Sequence, residues 1–335
     1  MTKTPAKKTS PKKIAPKKAA KKVPKSPQAL AQEMMRVLTK NLGPNDLIMP
    51  EDVDALLTSL SGPSATDGLS DEEADARDEA QQIAFDAMEA NTEAQALKLA
   101  KRAIKMYPDC VDALVVLAGI ESDSPKKMIE ALQNAVAAGE RSLGAEFFKE
   151  NKGHFWGLLD TRPYMRALEQ LAALLRAEGI NLDAIKHYEK MLVLNPNDNQ
   201  GVRDPLLGLY LALGSLDEAG KLLHTYKDDA SANFAWGRVL ERFLSGDLRG
   251  AAAALKKARE TNSFVELYLS GPKNFPGEMP DMYSPGSEEE AILCLDNMAL
   301  AWGNFKPAIL WLMEQLIKDK APKKTPAAKL RIVRK

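Results

Sequence analysis

A pattern that recurs about every 34 residues constrains the fold of this chain more than any other feature. In each unit, two runs of apolar residues with helical spacing flank a glycine, and a proline or an asparagine follows the second run. One unit places apolar residues over 168–175, Gly179 at the turn, Ala184 in the second run and Pro196 after it. Small residues let two crossing helices approach, and glycine permits a left-handed exit from the first helix. The pattern therefore predicts a stack of antiparallel helical hairpins.

The same markers return in order at several other places along the chain. The residues that fit them are Ala80, Ile83, Ala84, Ala96, Ala100, Ala103 and Pro108; more loosely Leu114, Leu117, Ala131, Ala135 and Ala138; then Leu206, Leu207, Tyr210, Gly214, Ala219 and Leu223; Val239, Gly246, Ala251, Leu255 and Ala258; and Ile292, Leu295, Ala299, Gly303, Ala308 and Leu312. Period and positions are those of the tetratricopeptide repeat. We expect an all-α, tetratricopeptide-like helical-repeat superhelix, in which a large residue at Ala184 or Ala219 would force a hairpin apart.

Changes in composition divide the chain into five segments. They are a disordered Lys/Pro/Ala-rich tail over 1–27, a short helical N-terminal segment over 28–61, a linker over 62–72, the repeat domain over 73–317 and a basic tail over 318–335. The first tail has too few apolar residues to offset the entropy of ordering. Within the repeat domain, residues 139–164 and 262–288 lengthen the interval between units and are predicted insertions.

Charge is divided unevenly, although the formal net charge is zero. Residues 1–26 contain ten lysines and no acidic residue, and residues 318–335 contain eight lysines or arginines and one aspartate. The remaining chain keeps 28 of the 46 basic and 45 of the 46 acidic residues, a net charge near −17. The basic tails and the acidic body therefore need separate functional explanations.

The sequence disfavours a metalloprotein, a disulfide-stabilised protein and the familiar enzyme classes. Cys110 and Cys294 are the only cysteines and lie far apart, so no CxxC motif and no disulfide framework exist. The phosphate-binding GxxxxGK[ST], the hydrolase GxSxG and the zinc-binding HExxH motifs do not occur. We predict a protein that is not an enzyme, with no cofactor and no metal site.

The expected location is the cytoplasm. No apolar run reaches the roughly 18 residues that a membrane-spanning helix needs, and the first 25 residues lack the apolar core of a signal peptide.

Five residues are candidates for a partner-binding groove. In a tetratricopeptide superhelix the first helix of each pair lines the concave surface, which receives peptides. If the register of the repeat is extended along the chain, we expect the groove to be lined by Arg166, Glu169, Gln170, Asn233 and Trp236. The alternative is that these residues only solvate the surface.

The insertion around residues 154–164 is the second candidate site. It contains His154, Trp156, Asp160, Arg162 and Tyr164. One interpretation is an ordered loop held by a buried aromatic residue; the other is an enzyme of an unfamiliar type, since a histidine near an aspartate could transfer protons. The loop interpretation is preferred.

Three segments of the second half carry a family resemblance. They are the segment from His154 to Arg166, the segment Asn195–Arg203 and the stretch from Ala258 to Leu312. Over about residues 150–315 the chain resembles the suppression-of-tumorigenicity-7 family and its bacterial relatives, which implies a tetratricopeptide-like fold without implying an activity. Pro205 departs from the pattern, and either Asp204 caps a helix that starts at Pro205 or the helix is kinked there.

The predicted function is that of a non-enzymatic protein–protein interaction scaffold or adaptor that uses a helical-repeat groove. The partner is a protein of unknown identity, and no membrane span is expected. The alternative is a nucleic-acid- or nucleoid-associated protein whose Lys-rich tails bind phosphates without reading sequence. Steeply salt-dependent DNA binding that is lost on removal of residues 1–26 would favour that alternative.

Overall fold

The computed structural model describes residues 69–320, and their side chains as far as residue 318. Within that range the chain forms fourteen α-helices and two 3-10 turns and no strand, which confirms the all-α prediction. The helices are α1 (Asp71–Met88), α2 (Glu93–Met106), α3 (Val111–Glu121), α4 (Pro125–Leu143), α5 (Ala145–Glu150), α6 (Arg162–Ala177), α7 (Asn181–Leu194), α8 (Arg203–Ala212), α9 (Leu216–Thr225), α10 (Ala232–Leu244), α11 (Leu248–Thr261), α12 (Phe264–Leu269), α13 (Glu288–Asn304) and α14 (Lys306–Lys320). The 3-10 turns span Phe155–Gly157 and Leu159–Thr161. The predictions for the first tail and the helical segment 28–61, and for most of the linker and of the basic tail, lie outside the described residues.

Consecutive helices pack as hairpins, and neighbouring hairpins pack on each other. The hairpins are α1–α2, α3–α4, α6–α7, α8–α9 and α10–α11. The second helix of each hairpin contacts the first helix of the next, in the pairs α2–α3, α4–α6, α7–α8 and α9–α10. The buried apolar side chains form one core from Val111 to Leu312 and a smaller, alanine-rich core within α1–α3.

Glycines make three of the hairpin turns in the way the sequence predicts. Gly179, Gly214 and Gly246 have φ angles of 73°, 71° and 81°, in the left-handed region that residues with a Cβ rarely adopt. Gly303 differs, because α13 continues through it to Asn304 and the turn is made by Phe305 alone. The predicted glycine turn in the last hairpin is therefore wrong.

The alanines at the helix crossings are buried as expected. Ala184 and Ala219 expose none of their surface, and the same holds for Ala80, Ala84, Ala100, Ala103, Ala135, Ala138, Ala251, Ala258 and Ala308. Ala299 does not follow the pattern, because its position on α13 is exposed.

Pro205 lies inside the first turn of α8, which begins at Arg203. The carboxylate of Asp198 caps this end, since it accepts hydrogen bonds from the main-chain N–H groups of Val202 and Arg203, both at 2.9 Å. Amides of the first turn have no intrahelical acceptor, so a proline costs no hydrogen bond there. The prediction that Asp204 caps a helix starting at Pro205 is wrong; the helix starts two residues earlier.

The two predicted insertions have different structures. Residues 139–143 belong to α4 and residues 162–164 to α6, and the part between them contains α5 and the two 3-10 turns. Residues 262–288 contain α12, followed by a stretch without helix from 270 to 287. Both insertions end where a first helix of the array begins.

Candidate interaction surfaces

Helix α13 lies across the first helices of two earlier hairpins. It packs mainly against α8, and also against α10 and α12. At Gly208 of α8 a side-chain carbon would collide with the main-chain oxygen of Asn297. At Gly237 of α10 such a carbon would lie 2.7 Å from Leu207 Cδ2 and 2.8 Å from Met298 Cε. Because both glycines lie inside helices, where glycine is unfavourable, they indicate that close packing of α13 is required.

Polar contacts fix α13 at both ends. Glu290, almost fully buried, accepts hydrogen bonds from the main-chain N–H of Ala232 at 2.9 Å and from Asn262 Nδ2 at 3.0 Å. The first of these satisfies a free N–H at the start of α10. At the other end, Asn304 Nδ2 donates to the carbonyl of Ala212 at 3.0 Å. The position of α13 is therefore specified by hydrogen bonds as well as by apolar packing.

A salt bridge joins α13 to α6. Arg176 Nη2 lies 2.9 Å from Asp296 Oδ2, and Arg176 Nη1 donates to the carbonyl of Asp296 at 3.1 Å. Since both side chains are partly exposed, the pair adds little stability and mainly orients α13 beside α6.

Two of the five predicted groove residues are covered by this arrangement. Trp236 is fully buried; its Nε1 donates to the carbonyl of Asn262 at 3.0 Å, and its ring contacts Trp302 edge-on with the centroids 6.4 Å apart. Asn233 is also buried, with Nδ2 donating to the carbonyl of Asp204 at 3.3 Å. The prediction that these two residues form a partner-binding surface is corrected, because the chain's own α13 packs on that part of the array.

The other three predicted groove residues lie on α6 and keep access to solvent. Arg166 is half-buried and binds both carboxylate oxygens of the buried Asp112, with Nη2 to Oδ2 at 2.6 Å and Nε to Oδ1 at 3.3 Å. Glu169 is half-buried, accepts a hydrogen bond from Gln200, and has its pKa raised by burial. Gln170 is exposed.

The turn glycines allow equivalent positions of the hairpins to be compared. Gly179, Gly214 and Gly246 make equivalent turns, so residues at the same distance before each glycine are equivalent. Gly208 of α8 therefore corresponds to Ala173 of α6, and Gly237 of α10 corresponds to Gln170. Ala173 and Gln170 are both exposed. The face that seats α13 on α8 and α10 therefore continues onto α6, where it is uncovered.

The predicted insertion site is a packed loop. Phe155 is fully buried, with its ring centroid 4.9 Å from that of Phe148 and 6.3 Å from that of Tyr164. Arg162, also buried, lies over the Trp156 ring at 4.7 Å and donates to the Trp156 carbonyl. The buried aromatic residue that holds the loop is thus Phe155.

The polar candidates of this insertion are placed differently from one another. His154 is exposed at the start of the first 3-10 turn, and Asp160 is half-buried. Tyr164 is buried; burial and the nearby Glu140 carboxylate raise the pKa of its phenol, which keeps it protonated.

Asp204, which the sequence indicated only as a possible helix cap, carries a buried carboxyl oxygen. Its Oδ1 is shielded from solvent and has no hydrogen-bond partner, although the residue as a whole is half-buried. Burial, together with the negative charge of Asp229, raises its pKa to about 7. An aspartate in the first turn of a predicted helix is ordinary, so nothing in the sequence indicated this environment.

No three histidine, cysteine or acidic residues between positions 69 and 320 are grouped so that they could hold a metal ion. No helix in the same range combines the length and apolarity needed to cross a bilayer.

No protein-family model matches this chain, and no curated protein matches it.

Proposed function

We propose that this chain is a protein–protein interaction scaffold whose tetratricopeptide-like array binds a partner on the uncovered first-helix face of α6. The face is defined by Arg166, Glu169, Gln170 and Ala173. The supporting observation is α13 itself, an amphipathic helix that packs on α8 and α10 at the positions equivalent to Ala173 and Gln170 of α6. A face that seats one helix through small residues is suited to a second helix placed beside it.

The properties of the α6 face fit this role. Ala173 offers a small, exposed contact, and Gln170 can donate and accept hydrogen bonds. Arg166 is held by Asp112, so its guanidinium is already ordered before a partner arrives. Ordering a side chain in advance lowers the entropy cost of binding.

Site-specific photo-crosslinking tests the proposal. The full-length chain is expressed in its native cells with a photoreactive phenylalanine analogue at position 173. We expect a protein adduct of defined mass after irradiation. The matched control is position 252, an exposed alanine on a different helix, α11. No adduct at position 173, or the same adducts at both positions, would refute the proposed function.

A further inference from the structure

A cleft of about 340 Å³ lies against helices α10 and α11. Alanines and a glycine form much of its lining, with Ala235 from α10 and Gly250, Ala253 and Ala254 from α11. Its lining residues on α11 run from 250 to 261, which corresponds to about 16 Å at 1.5 Å per residue. The cleft is therefore about as long as three turns of a helix.

At the cleft, the α10–α11 hairpin differs from the preceding hairpin at three equivalent positions. When the two hairpins are aligned on their turn glycines, Arg238, Arg242 and Ala254 take the positions of Leu206, Tyr210 and Leu222 of the α8–α9 hairpin. Those three residues are buried, and the Tyr210 hydroxyl donates to Glu189 of α7 at 2.6 Å. Two arginines and an alanine thus stand where the preceding hairpin has packed apolar and aromatic side chains.

Three cations and one carboxylate line the cleft. The cations are Arg238, Arg242 and Lys257, and the carboxylate is Asp229. Asp229 is already engaged, since it accepts from Arg203 Nε and from the N–H of Ser231, both at 2.8 Å.

Both arginines also contact groups of their own chain. Arg238 donates to the carbonyls of Leu223 and Lys227 at the end of α9, at 3.2 and 3.1 Å. Arg242, half-exposed, lies 3.3 Å from Glu241 and 3.5 Å from Asp247. Surface ion pairs such as those of Arg242 are weak, so Arg242 can exchange them for a carboxylate from outside. The cleft is therefore locally basic on a body whose net charge is near −17.

We propose that this cleft binds an acidic amphipathic helix of a partner protein. Small floor residues allow a helix to approach closely, and guanidinium groups at the rim pair with carboxylates in a two-point geometry. No aromatic side chain of residues 69–318 lines the cleft, so these residues offer no platform for stacking nucleobases. The assignment rests on the proposed function as a scaffold and adds a second site to it.

The test is a titration of the full-length protein with a synthetic peptide. The probe is a fluorescein-labelled 16-residue helix with one leucine–alanine face flanked by four glutamates, and its binding is followed by fluorescence anisotropy. A second peptide carries glutamine in place of each glutamate. We expect saturable binding of the acidic peptide, and binding at least tenfold weaker for the glutamine peptide.

Variants separate the cleft from the Lys-rich tails, which also attract acidic peptides. Ala254→Leu fills the cleft with the residue that the α8–α9 hairpin has at this position, and should weaken binding at least tenfold. Lys257→Glu and Arg242→Glu should do the same. The matched control is Lys256→Glu, an exposed neighbour outside the lining, which should change affinity less than twofold. Circular dichroism checks that each variant is folded.

Three results would overturn the proposal. They are no saturable binding of the acidic peptide, binding that Ala254→Leu leaves unchanged, and equal effects of Lys256→Glu and Lys257→Glu. The two proposals can fail independently. If crosslinking at position 173 still captures a protein while the peptide does not bind in the cleft, only the cleft assignment is wrong.

Discussion

At the scale of single residues, Asp204 makes stability depend on pH. Its pKa is about 7 in the folded protein, mainly because of burial, against an ordinary value of 3.8. The folded state therefore holds this proton over a pH range in which the unfolded state has released it. Stability contributed by the protonated acid is complete below about pH 4 and is lost as the pH rises through 7.

The neutral variant Asp204→Asn should remove this dependence. At pH 8 it should be more stable than the parent by about 2 to 4 kcal/mol, since one pKa unit corresponds to about 1.4 kcal/mol. At pH 4 the two proteins should have similar stability. Urea unfolding followed by circular dichroism at both pH values measures the difference. Asp228→Asn, on an exposed neighbour, is the control. A parent and an Asp204→Asn variant that respond equally to pH would show that the buried acid has no such effect.

At the scale of single elements, Gly208 decides whether α13 can pack on α8. An alanine inside a helix is normally more stable than glycine by about 1 kcal/mol. At position 208 the added carbon collides with the backbone of α13, so we expect Gly208→Ala to reverse that sign and to loosen α13. Cys294, buried on α13, reports the change. Its reaction with a thiol reagent should accelerate at least tenfold, whereas that of Cys110, buried in the separate small core, should not change.

Gly220→Ala provides the matched control for this helix-interior substitution. Gly220 lies in α9 with open space around its missing side chain, so an alanine there should be neutral or slightly stabilising. Equal Cys294 reactivity in Gly208→Ala and the parent would contradict the close approach of the two helices.

The position of α13 also marks the limit of what the sequence could predict. Helices, turns and buried alanines follow from periodicities within about 20 residues, and these were predicted correctly for most hairpins. The contact between α13 and α8 joins residues about 90 positions apart, and no local pattern encodes such a contact. Without knowledge of this contact, the sequence pattern places Trp236 in an open groove, whereas in the structure Trp236 is buried against Trp302. One signal was available: Gly208 and Gly237 are glycines inside predicted helices, which indicates a packing requirement.

At the scale of the whole molecule, one polar network links the two cores. Asp112, almost fully buried on α3, accepts hydrogen bonds from Gln81 Nε2 of α1 at 2.6 Å and from Arg166 of α6. The small core of α1–α3 is built largely of alanines and buries less apolar surface per residue than the main core. Among the described residues, the α1–α2 hairpin has a neighbouring hairpin on one side only. We therefore expect α1 and α2 to open more readily than α6–α10, and the network to limit that opening.

Removing the arginine should uncouple the first hairpin. Arg166→Leu leaves the Asp112 carboxylate buried without its ion pair, a change that typically costs about 3 to 5 kcal/mol. Hydrogen exchange measured by mass spectrometry should show faster exchange in α1–α3 and unchanged exchange in α8–α13. The double variant Asp112→Leu/Arg166→Leu removes both charges and should restore most of the protection, because a pair of apolar residues leaves no uncompensated charge. Faster exchange over the entire array, or no recovery in the double variant, would show that Arg166 does more than link the two cores.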